Sequence, residues 1–275
     1  HALEDACAHR GVALHLGKVK GANLACRYHG WEFDGAGECV SIPYLAKNQK
    51  LPPACVRRFP LQERYGLIWV FPGNTELATS TPIMEIPEFG QPGWLMVPVT
   101  VRFEAHFSIC NENTMDVFHG FLHEDLQGWF DPKLEQLTES EASVSARYQV
   151  SYRGAIAKFL GLADRANQVT TKIIQVDYCY PHYRSHMEGV SALYLMRLPV
   201  SFHESRSYSL FFFKVPLPAW VLSVVQPILR SLLQRFVLLK FIRQDKEMVE
   251  SEQQHYLENP NRRYVEINPA IIAVQ

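Results

Sequence analysis

Apolar and polar residues alternate in several stretches between residues 97 and 215, which is the pattern of half-buried β-strands. The alternating stretches are 97–107, 142–150, 169–180, 190–198 and 205–215. The tripeptide 205–207, Ser-Arg-Ser, is typical of a turn, and we expect it to separate two long strands. Strands grouped in this way, with helices gathered at the ends of the group, predict an α+β domain.

The first 75 residues have a different pattern, in which short apolar runs are separated by turn residues. The segment 34–37, Asp-Gly-Ala-Gly, predicts a hairpin turn. The β-branched and aromatic run 65–71 predicts a strand. Pro and Gly are frequent in residues 74–93, as in a connecting segment. The pattern therefore predicts two domains, an all-β domain at 1–75 and an α+β domain at 76–275.

The most apolar segment is 218–240, and its apolar residues recur at helical spacing. They are Ile228, Leu229, Leu232, Leu233, Phe236 and Val237. Arg230, Gln234 and Arg235 interrupt the run, so a helix that spans a membrane is not predicted. The pattern predicts an amphipathic helix packed on the core. It leaves open a helix on a membrane surface, as a peripheral contact, or at the lip of an apolar channel.

A second helical pattern, from Leu238 to Tyr256, places two carboxylates on its apolar side. At about 100° per residue, Asp245 and Glu252 fall on the same face as the large apolar residues. A buried carboxylate requires a metal ion or a cation, so both are candidate ligands. The alternative is that Asp245 pairs with a nearby Arg.

Composition limits the class of protein. The 275 residues are 47% hydrophobic, which suffices for a core and is too low for a polytopic membrane protein. The formal net charge of −1 gives no electrostatic case for nucleic-acid binding. Of the six Cys, four are scattered without framework spacing: Cys39, Cys55, Cys110 and Cys179. They predict free thiols in a reducing compartment, and we expect a cytoplasmic protein.

Two loops near the start of the chain carry candidate metal ligands. Cys7 and His9 are followed, after sixteen residues, by Cys26 and His29. Two thiolates and two imidazoles suit a [2Fe–2S] cluster with two Cys on one iron and two His on the other. A structural zinc site accepts the same residues. The Gly that ends each loop favours the cluster, because glycine permits the tight backbone that turns amides towards bridging sulfides.

The segment 111–123 carries a second set of candidate ligands. On a helix, Asp116, His119 and His123 would share one face, and two His four residues apart can grip one metal ion. Two helix histidines that bind nothing are the alternative. Another pair, His182 and His186, lies next to a Pro between strand runs, so we interpret it as part of a loop or pocket rim.

The two early loops resemble the Rieske domain of Rieske non-haem iron oxygenases. The shared pattern, Cys-x-His-Arg-Gly followed by Cys-x-x-His-Gly-Trp, falls here on Cys7, His9, Arg10, Gly11, Cys26, His29, Gly30 and Trp31. The respiratory version of the domain has an extra Cys in each loop and a Ser where this chain has Trp31. Without that hydroxyl, one hydrogen bond to the cluster is missing, and we expect a low reduction potential.

The resemblance extends to 112–123, which matches the family's Glu-Asn-x-x-Asp-x-x-His-x-x-x-His signature for a mononuclear iron. It implies a helix-grip catalytic domain, an antiparallel sheet with helices. In that domain Fe(II) is held by His119, His123 and an Asp that opens a late helix, here Asp245. Glu252 remains the rival third ligand. Asp116 matches the family residue that hydrogen-bonds both an iron-ligand His and a Rieske His of the neighbouring subunit.

The resemblance implies a terminal oxygenase, the alpha subunit of its system. Such an enzyme takes electrons from a separate reductase or ferredoxin, uses O₂ on a small molecule and forms a head-to-tail homotrimer. We expect an apolar substrate, whereas hydroxylation, demethylation, dihydroxylation and desaturation stay open as reactions. Two other hypotheses are an electron-transfer protein with a non-catalytic binding domain and a zinc-binding structural protein. Because Rieske domains normally begin with several strands, we also expect N-terminal residues to be missing from this sequence.

Overall fold

The contacts between residues divide the chain into two units, 1–86 and 87–275. The computed structural model describes residues 1–127, 129–154, 157–158, 162 and 168–275. The first unit includes residues beyond the predicted boundary at residue 75, because Arg64 and Tyr65 contact the connecting segment. Arg64 Nη2 donates to both carboxylate oxygens of Glu85 at 2.9 Å, and the hydroxyl of Tyr65 accepts the backbone N–H of Ile86 at 3.1 Å.

The first unit is built from short antiparallel strands. They are β1 (Ala2–Leu3), β2 (Lys18–Lys20), β3 (Asn23–Ala25), β4 (Glu32–Phe33), β5 (Cys39–Ser41), β6 (Arg58–Phe59), β7 (Leu61–Arg64) and β8 (Leu67–Val70). Strands β2 to β5 form one sheet in chain order, and β1–β6 and β7–β8 form two-stranded pairs. The hairpin across residues 34–37 forms as predicted, because Phe33 pairs with Cys39 and Phe33 is fully buried.

The second unit contains an antiparallel sheet with seven described strands. They are β9 (Trp94–Phe103), β10 (Trp129–Glu139), β11 (Ser143–Tyr152), β12 (Thr170–Cys179), β13 (His182–Met187), β14 (Ser191–Ser201) and β15 (Glu204–Lys214). The strand order across the sheet is β10-β11-β12-β13-β14-β15-β9.

Two local predictions in this sheet are wrong. Residues 205–207 are not a turn, because Ser205 and Ser207 are buried and Ser207 pairs with Arg197 of β14; the turn lies at Phe202 and His203. His182 and His186 are not in a loop, because both belong to strand β13, whereas the alternative of a pocket rim holds for His186, which lines a cavity of this unit. In each case the ladder hydrogen bonds of long neighbouring strands outweigh the local turn propensity.

Two of the described helices of the second unit are long, α3 and α4, and the others are short. They are α1 (Phe107–Met115), α2 (Glu124–Gln127), α3 (Ala219–Leu233), α4 (Leu239–Glu258) and α5 (Pro269–Ile272), with a 3₁₀ helix at Phe118–His123 and a π-helical segment at Gln234–Leu238. Helix α3, the π segment and α4 follow one another without a break. This stretch, Ala219–Glu258, is long and apolar enough to cross a membrane by length and composition.

The inner side of this long helical stretch packs on the sheet. Leu222, Leu233 and Leu238 are buried in one cluster with Leu95 and Val97 of β9. The predicted core-facing stripe is only partly correct, because Ile228 and Phe236 are 65% and 53% exposed. The apolar residues therefore divide between a buried side and an exposed side.

Candidate metal centres

The two Cys/His loops of the first unit have the same backbone geometry. The N–H of Cys7 donates to the carbonyl of Val12 and that of Cys26 to the carbonyl of Trp31, both at 2.8 Å. Gly11 and Gly30 close the two loops with φ angles of 67° and 73°, which side chains other than glycine rarely adopt. Because the two loops turn in the same way, each presents one Cys and one His to the space between the loops.

The four candidate cluster ligands converge on that space. Cys7 and Cys26 are 4% and 3% exposed, and the His9 and His29 rings lie 4.7 Å apart. Burial raises the pKa of the Cys7 thiol, and the neighbouring Cys26 thiol adds to the shift. Nδ1 of His9 is buried with no hydrogen-bond partner among the described residues, so this atom is open to a metal. The residues fit a bound metal group.

The second set of candidate ligands forms a compact group in the second unit. Asp245 Oδ1 lies 3.1 Å from Nε2 of His123 and 3.6 Å from Nε2 of His119. His123 is fully buried and Asp245 is 9% exposed. No Arg or Lys side chain pairs with Asp245 within the described ranges, so the alternative of an Arg partner is not realised. Two imidazoles and one carboxylate on one side of a point form a ligand face that suits Fe(II).

The backbone that carries the two His is not the predicted helix. Helix α1 ends at Met115, and Phe118–His123 is a 3₁₀ helix with a non-helical angle at His119. Asp116 Oδ1 accepts the N–H of Phe118 at 2.8 Å, which ends the α-helix by offering its backbone another partner. The ligands still converge, although the predicted reason for their convergence is wrong.

Aromatic rings enclose the His pair. The Trp129 ring stacks on His123 at 5.7 Å and the Phe241 ring lies 4.0 Å from it. A Cβ at Gly120 would lie 3.0 Å from Nε1 of Trp129, which is closer than ordinary van der Waals contact, so glycine allows the ring to lie this near the backbone. The rings exclude water from the inner side of the candidate site.

Gln244 orients His123, and the sequence did not single it out. Its Oε1 lies 3.0 Å from Nδ1 of His123, and its Nε2 donates to Asp125 Oδ1 at 3.0 Å. Because the amide nitrogen is used by Asp125, the amide oxygen faces the imidazole, so Nδ1 carries the proton and Nε2 is left free for a metal. In the sequence, the one indication of this role was that Gln244 lies next to Asp245.

Asp116 lies beside the group but outside it. Its Oδ2 is 3.6 Å from Nδ1 of His119, and Nδ2 of Asn268 donates to its Oδ1 at 2.9 Å. Burial acts to raise the pKa of Asp116, but contacts with His119, Phe118 and Asn268 outweigh it and lower the pKa. Glu252 lies two turns further along α4 and is not part of the group, and neither are His182 and His186.

A cavity opens beside the candidate ligands. The space in it that the centre of a water-sized sphere can occupy is about 200 Å³, and His119 and Asp245 line it with Asp116. The remaining lining is mostly apolar and comes from the sheet and from Val237, Leu238 and other residues of the long helical stretch. Lining residues of β14 run from Ser191 to Arg197, about 20 Å of strand, so the cavity is elongated.

Comparison with known proteins assigns the class. Residues 1–60 match the family model of the Rieske [2Fe-2S] domain, which implies such a cluster in the first unit. Residues 103–274 match the C-terminal domain of vanillate O-demethylase oxygenase. An iron–sulfur domain followed by this sheet-and-helix domain defines an oxygenase. The chain belongs to the Rieske non-haem iron oxygenases, as the sequence motifs predicted.

Curated relatives include monooxygenases and demethylases. The chain is 34% identical over its full length to 4β-methylsterol monooxygenase of Methylococcus capsulatus and covers 76% of that protein. It is 34% identical to a putative toluene-4-sulfonate monooxygenase iron–sulfur subunit of Comamonas testosteroni, but over 60% of the chain and half of that protein. A vanillate O-demethylase oxygenase subunit of Pseudomonas sp. is 37% identical over 43% of the chain.

Solved structures confirm the predicted fold class. Dicamba monooxygenase bound to 3,6-dichlorosalicylic acid is similar with a TM-score of 0.78 at 21% identity, over 99% of this chain and 83% of that one. NdmA of Pseudomonas putida bound to theobromine gives a TM-score of 0.64 at 22% identity. At this identity the likeness concerns the fold alone.

We predict that Gln244→Leu lowers the affinity of the second unit for Fe(II) about tenfold, because His123 loses the partner that fixes its tautomer. Anaerobic Fe(II) titration of the full chain against a chelator measures this. The matched control is Gln254→Leu, an exposed position on the same helix, which we expect to leave the affinity unchanged. Equal affinities for the two variants would contradict the role of Gln244.

Proposed function

We propose that this chain is the terminal oxygenase of a monooxygenase system and that it oxidises a methyl group of an elongated apolar molecule of the sterol type. The observation that supports it most is the buried group of His119, His123 and Asp245 at the wall of an apolar cavity. Cys7, His9, Cys26 and His29 would hold the [2Fe–2S] cluster, and His119, His123 and Asp245 would hold Fe(II). When bound, the cluster supplies single electrons and the iron supplies O₂ activation.

The side chains around the site have separate tasks. Gln244 keeps the proton of His123 on Nδ1, so that Nε2 points to the metal. Trp129 and Phe241 keep water away from the His pair. Asp116 holds His119 from the opposite side and lines the cavity. We propose Asp116 as the bridge to the cluster of a neighbouring subunit in a homotrimer, with electrons entering from a separate reductase or ferredoxin.

The lining of the cavity favours an apolar substrate over an acid. Arg197 is the one Arg or Lys among the described lining residues, and it is 6% exposed. Its Nη1 donates to Ser207 and its Nη2 to Thr114, at 3.1 and 2.5 Å. These bonds hold the guanidinium in place, whereas its Nε has no hydrogen-bond partner among the described residues, so Arg197 is a single cation in a wall that is otherwise mostly apolar. The relative that is similar over the whole of this chain is named for a methylsterol, which supports the same choice.

We predict that Asp245→Ala lowers the iron content from about three to about two per chain, because one ligand of the mononuclear site is lost and the cluster stays. Iron and acid-labile sulfide analysis, with the visible spectrum of the cluster, measures this. Glu252→Ala is the matched control on the same helix and should keep about three irons. A wild-type content of about two irons would instead favour an electron-transfer protein with a non-catalytic binding domain.

We predict that Asp116→Ala keeps both metal centres loaded but slows reoxidation of the reduced cluster by O₂ and substrate about a hundredfold. The physical reason is the lost polar link at His119. Stopped-flow absorbance of the pre-reduced protein follows the step directly. Glu124→Ala, a nearby exposed carboxylate, serves as the control. Retention of the wild-type rate in Asp116→Ala would exclude the bridging role.

We predict that Leu193→Phe raises the KM for a four-ring 4-methylsterol about tenfold, because a larger side chain narrows the elongated cavity that Leu193 lines. The KM for a one-ring methyl ether that the enzyme accepts should not change. Leu198→Phe, on the same strand but half exposed, is the matched control. Substrate-dependent O₂ uptake with a generic reductase measures both. An unchanged sterol KM, or turnover of aromatic acids alone, would contradict the substrate class.

A further inference from the structure

The outward side of helix α3, the π segment and the first residue of α4 carries a row of exposed apolar residues, which we name the outer stripe. Its residues are Trp220, Val224, Ile228, Leu232, Phe236 and Leu239. Each is between 43% and 75% exposed. They follow one another at intervals of four or three residues, so they form one row about 28 Å long. Single exposed apolar residues are common on protein surfaces, whereas a contiguous row marks an interaction surface.

The charge of this segment is one-sided. Residues 205–244 contain no Asp or Glu, whereas Arg230, Arg235, Lys240 and Arg243 lie in its helical part. Arg235, Leu239 and Arg243 follow one another at intervals of four residues, so the cations of Arg235 and Arg243 lie next to the outer stripe at its C-terminal end. Within the described part of the molecule, none of these four basic residues forms an ion pair, although the whole chain has a net charge of −1. Arg235, Lys240 and Arg243 are exposed and available to an anionic partner, whereas Arg230 is half-buried and donates to Gln226.

The same helix cannot cross a bilayer in this fold. Leu222, Leu233 and Leu238 on its inner side are buried against β9, and Asp245 of α4 belongs to the candidate metal group. A second copy docking through the same stripe would bring its basic residues against a surface without carboxylates, so charge would not favour that pairing. Apolar and aromatic residues next to unpaired cations are typical of a helix that lies on an anionic lipid surface.

We propose that the outer stripe docks this protein on the surface of an anionic lipid bilayer. Trp220, Val224, Ile228, Leu232, Phe236 and Leu239 enter the boundary between headgroups and acyl chains. Arg235 and Arg243 contact the lipid phosphates at one end of the row. The helix lies parallel to the membrane plane, with its inner side on the sheet.

Docking of this face would bring the lipid phase close to the cavity. Val237, Leu238, Phe241 and Ile242 of the same helical stretch line the cavity from inside, beside Asp245. An apolar substrate dissolved in the bilayer would then pass only one helix to reach the site. This second step rests on the proposed function, whereas the docking itself does not.

Co-sedimentation of the purified full chain with vesicles tests the docking without any turnover. We expect binding to phosphatidylcholine vesicles that contain phosphatidylglycerol, and weaker binding to vesicles of phosphatidylcholine alone. Ile228→Glu should weaken binding at least about tenfold by placing a charge in the acyl boundary. The matched control is Ile68→Glu in the first unit, since Ile68 is 69% exposed against 65% for Ile228, and it should bind as the wild type does.

The double variant Arg235→Gln/Arg243→Gln tests the electrostatic part. Binding to the anionic vesicles should weaken about thirtyfold, which corresponds to about 2 kcal/mol, and its salt dependence should fall. Lys47→Gln/Lys50→Gln, with the same change of charge at exposed positions, is the control. Circular dichroism and cluster absorbance verify that every variant is folded.

Three results would overturn the proposal. One is wild-type chain that stays in the supernatant with both vesicle types. Another is Ile228→Glu that binds as tightly as the wild type. The third is light scattering that reveals a self-association which vesicles do not alter and Ile228→Glu abolishes, because the outer stripe would then belong to a second copy. None of these results bears on the oxygenase assignment, which the iron analysis tests separately.

Discussion

The second unit depends on one buried carboxylate. Asp245 lies on a helix that faces a hydrophobic cluster, where an unpaired charge would cost several kcal/mol. Its near contacts are the imidazoles of His119 and His123, and no Arg or Lys side chain pairs with it within the described ranges. A divalent cation between the three groups would resolve this conflict. Such a charge would be enclosed by the rings of Trp129 and Phe241, and Gly120 leaves space for the Trp129 ring.

The candidate site of the first unit is formed by different interactions. Its loops obtain their shape from two left-handed glycines and from short backbone hydrogen bonds that join each Cys to the residue five positions later. These features are local to each loop, so the spacing of Cys7, His9, Cys26 and His29 in the sequence was enough to predict them. In the second unit, by contrast, the candidate ligand Asp245 is more than a hundred residues from His119 and His123, and only the packing of α4 next to the 3₁₀ helix brings the three together.

This difference explains which features the sequence could reveal. Periodicity identified Asp245 as buried, because a helix repeats its faces regularly. It failed at 116–123, where Asp116 bonds to the backbone and replaces the α-helix with a 3₁₀ turn. Gln244 and Asn268 escaped notice, because a polar residue on a helix or in a C-terminal segment gives no local sign of a distant partner. The histidines of β13 were assigned to a loop because Pro181 is a strong local signal and the neighbouring strands are a distant one.

The long helical stretch joins these observations. A π-helical segment holds more residues in each turn than an α-helix, so along Gln234–Leu238 successive side chains rotate less about the axis. This correction keeps Leu238, Ile242, Asp245 and Val249 on the side that packs on the sheet, following Leu222 and Leu233. A uniform rotation of 100° per residue would turn Leu238, Asp245 and Val249 away from the side of Leu222 and Leu233. The apolar stripe at 228–237 was assigned to the core for another reason: apolar residues lie on both sides of this helix, and periodicity does not show which side is buried. With the π segment in place, one helix presents apolar residues to the outside, lines the cavity within, and delivers a carboxylate to the two histidines.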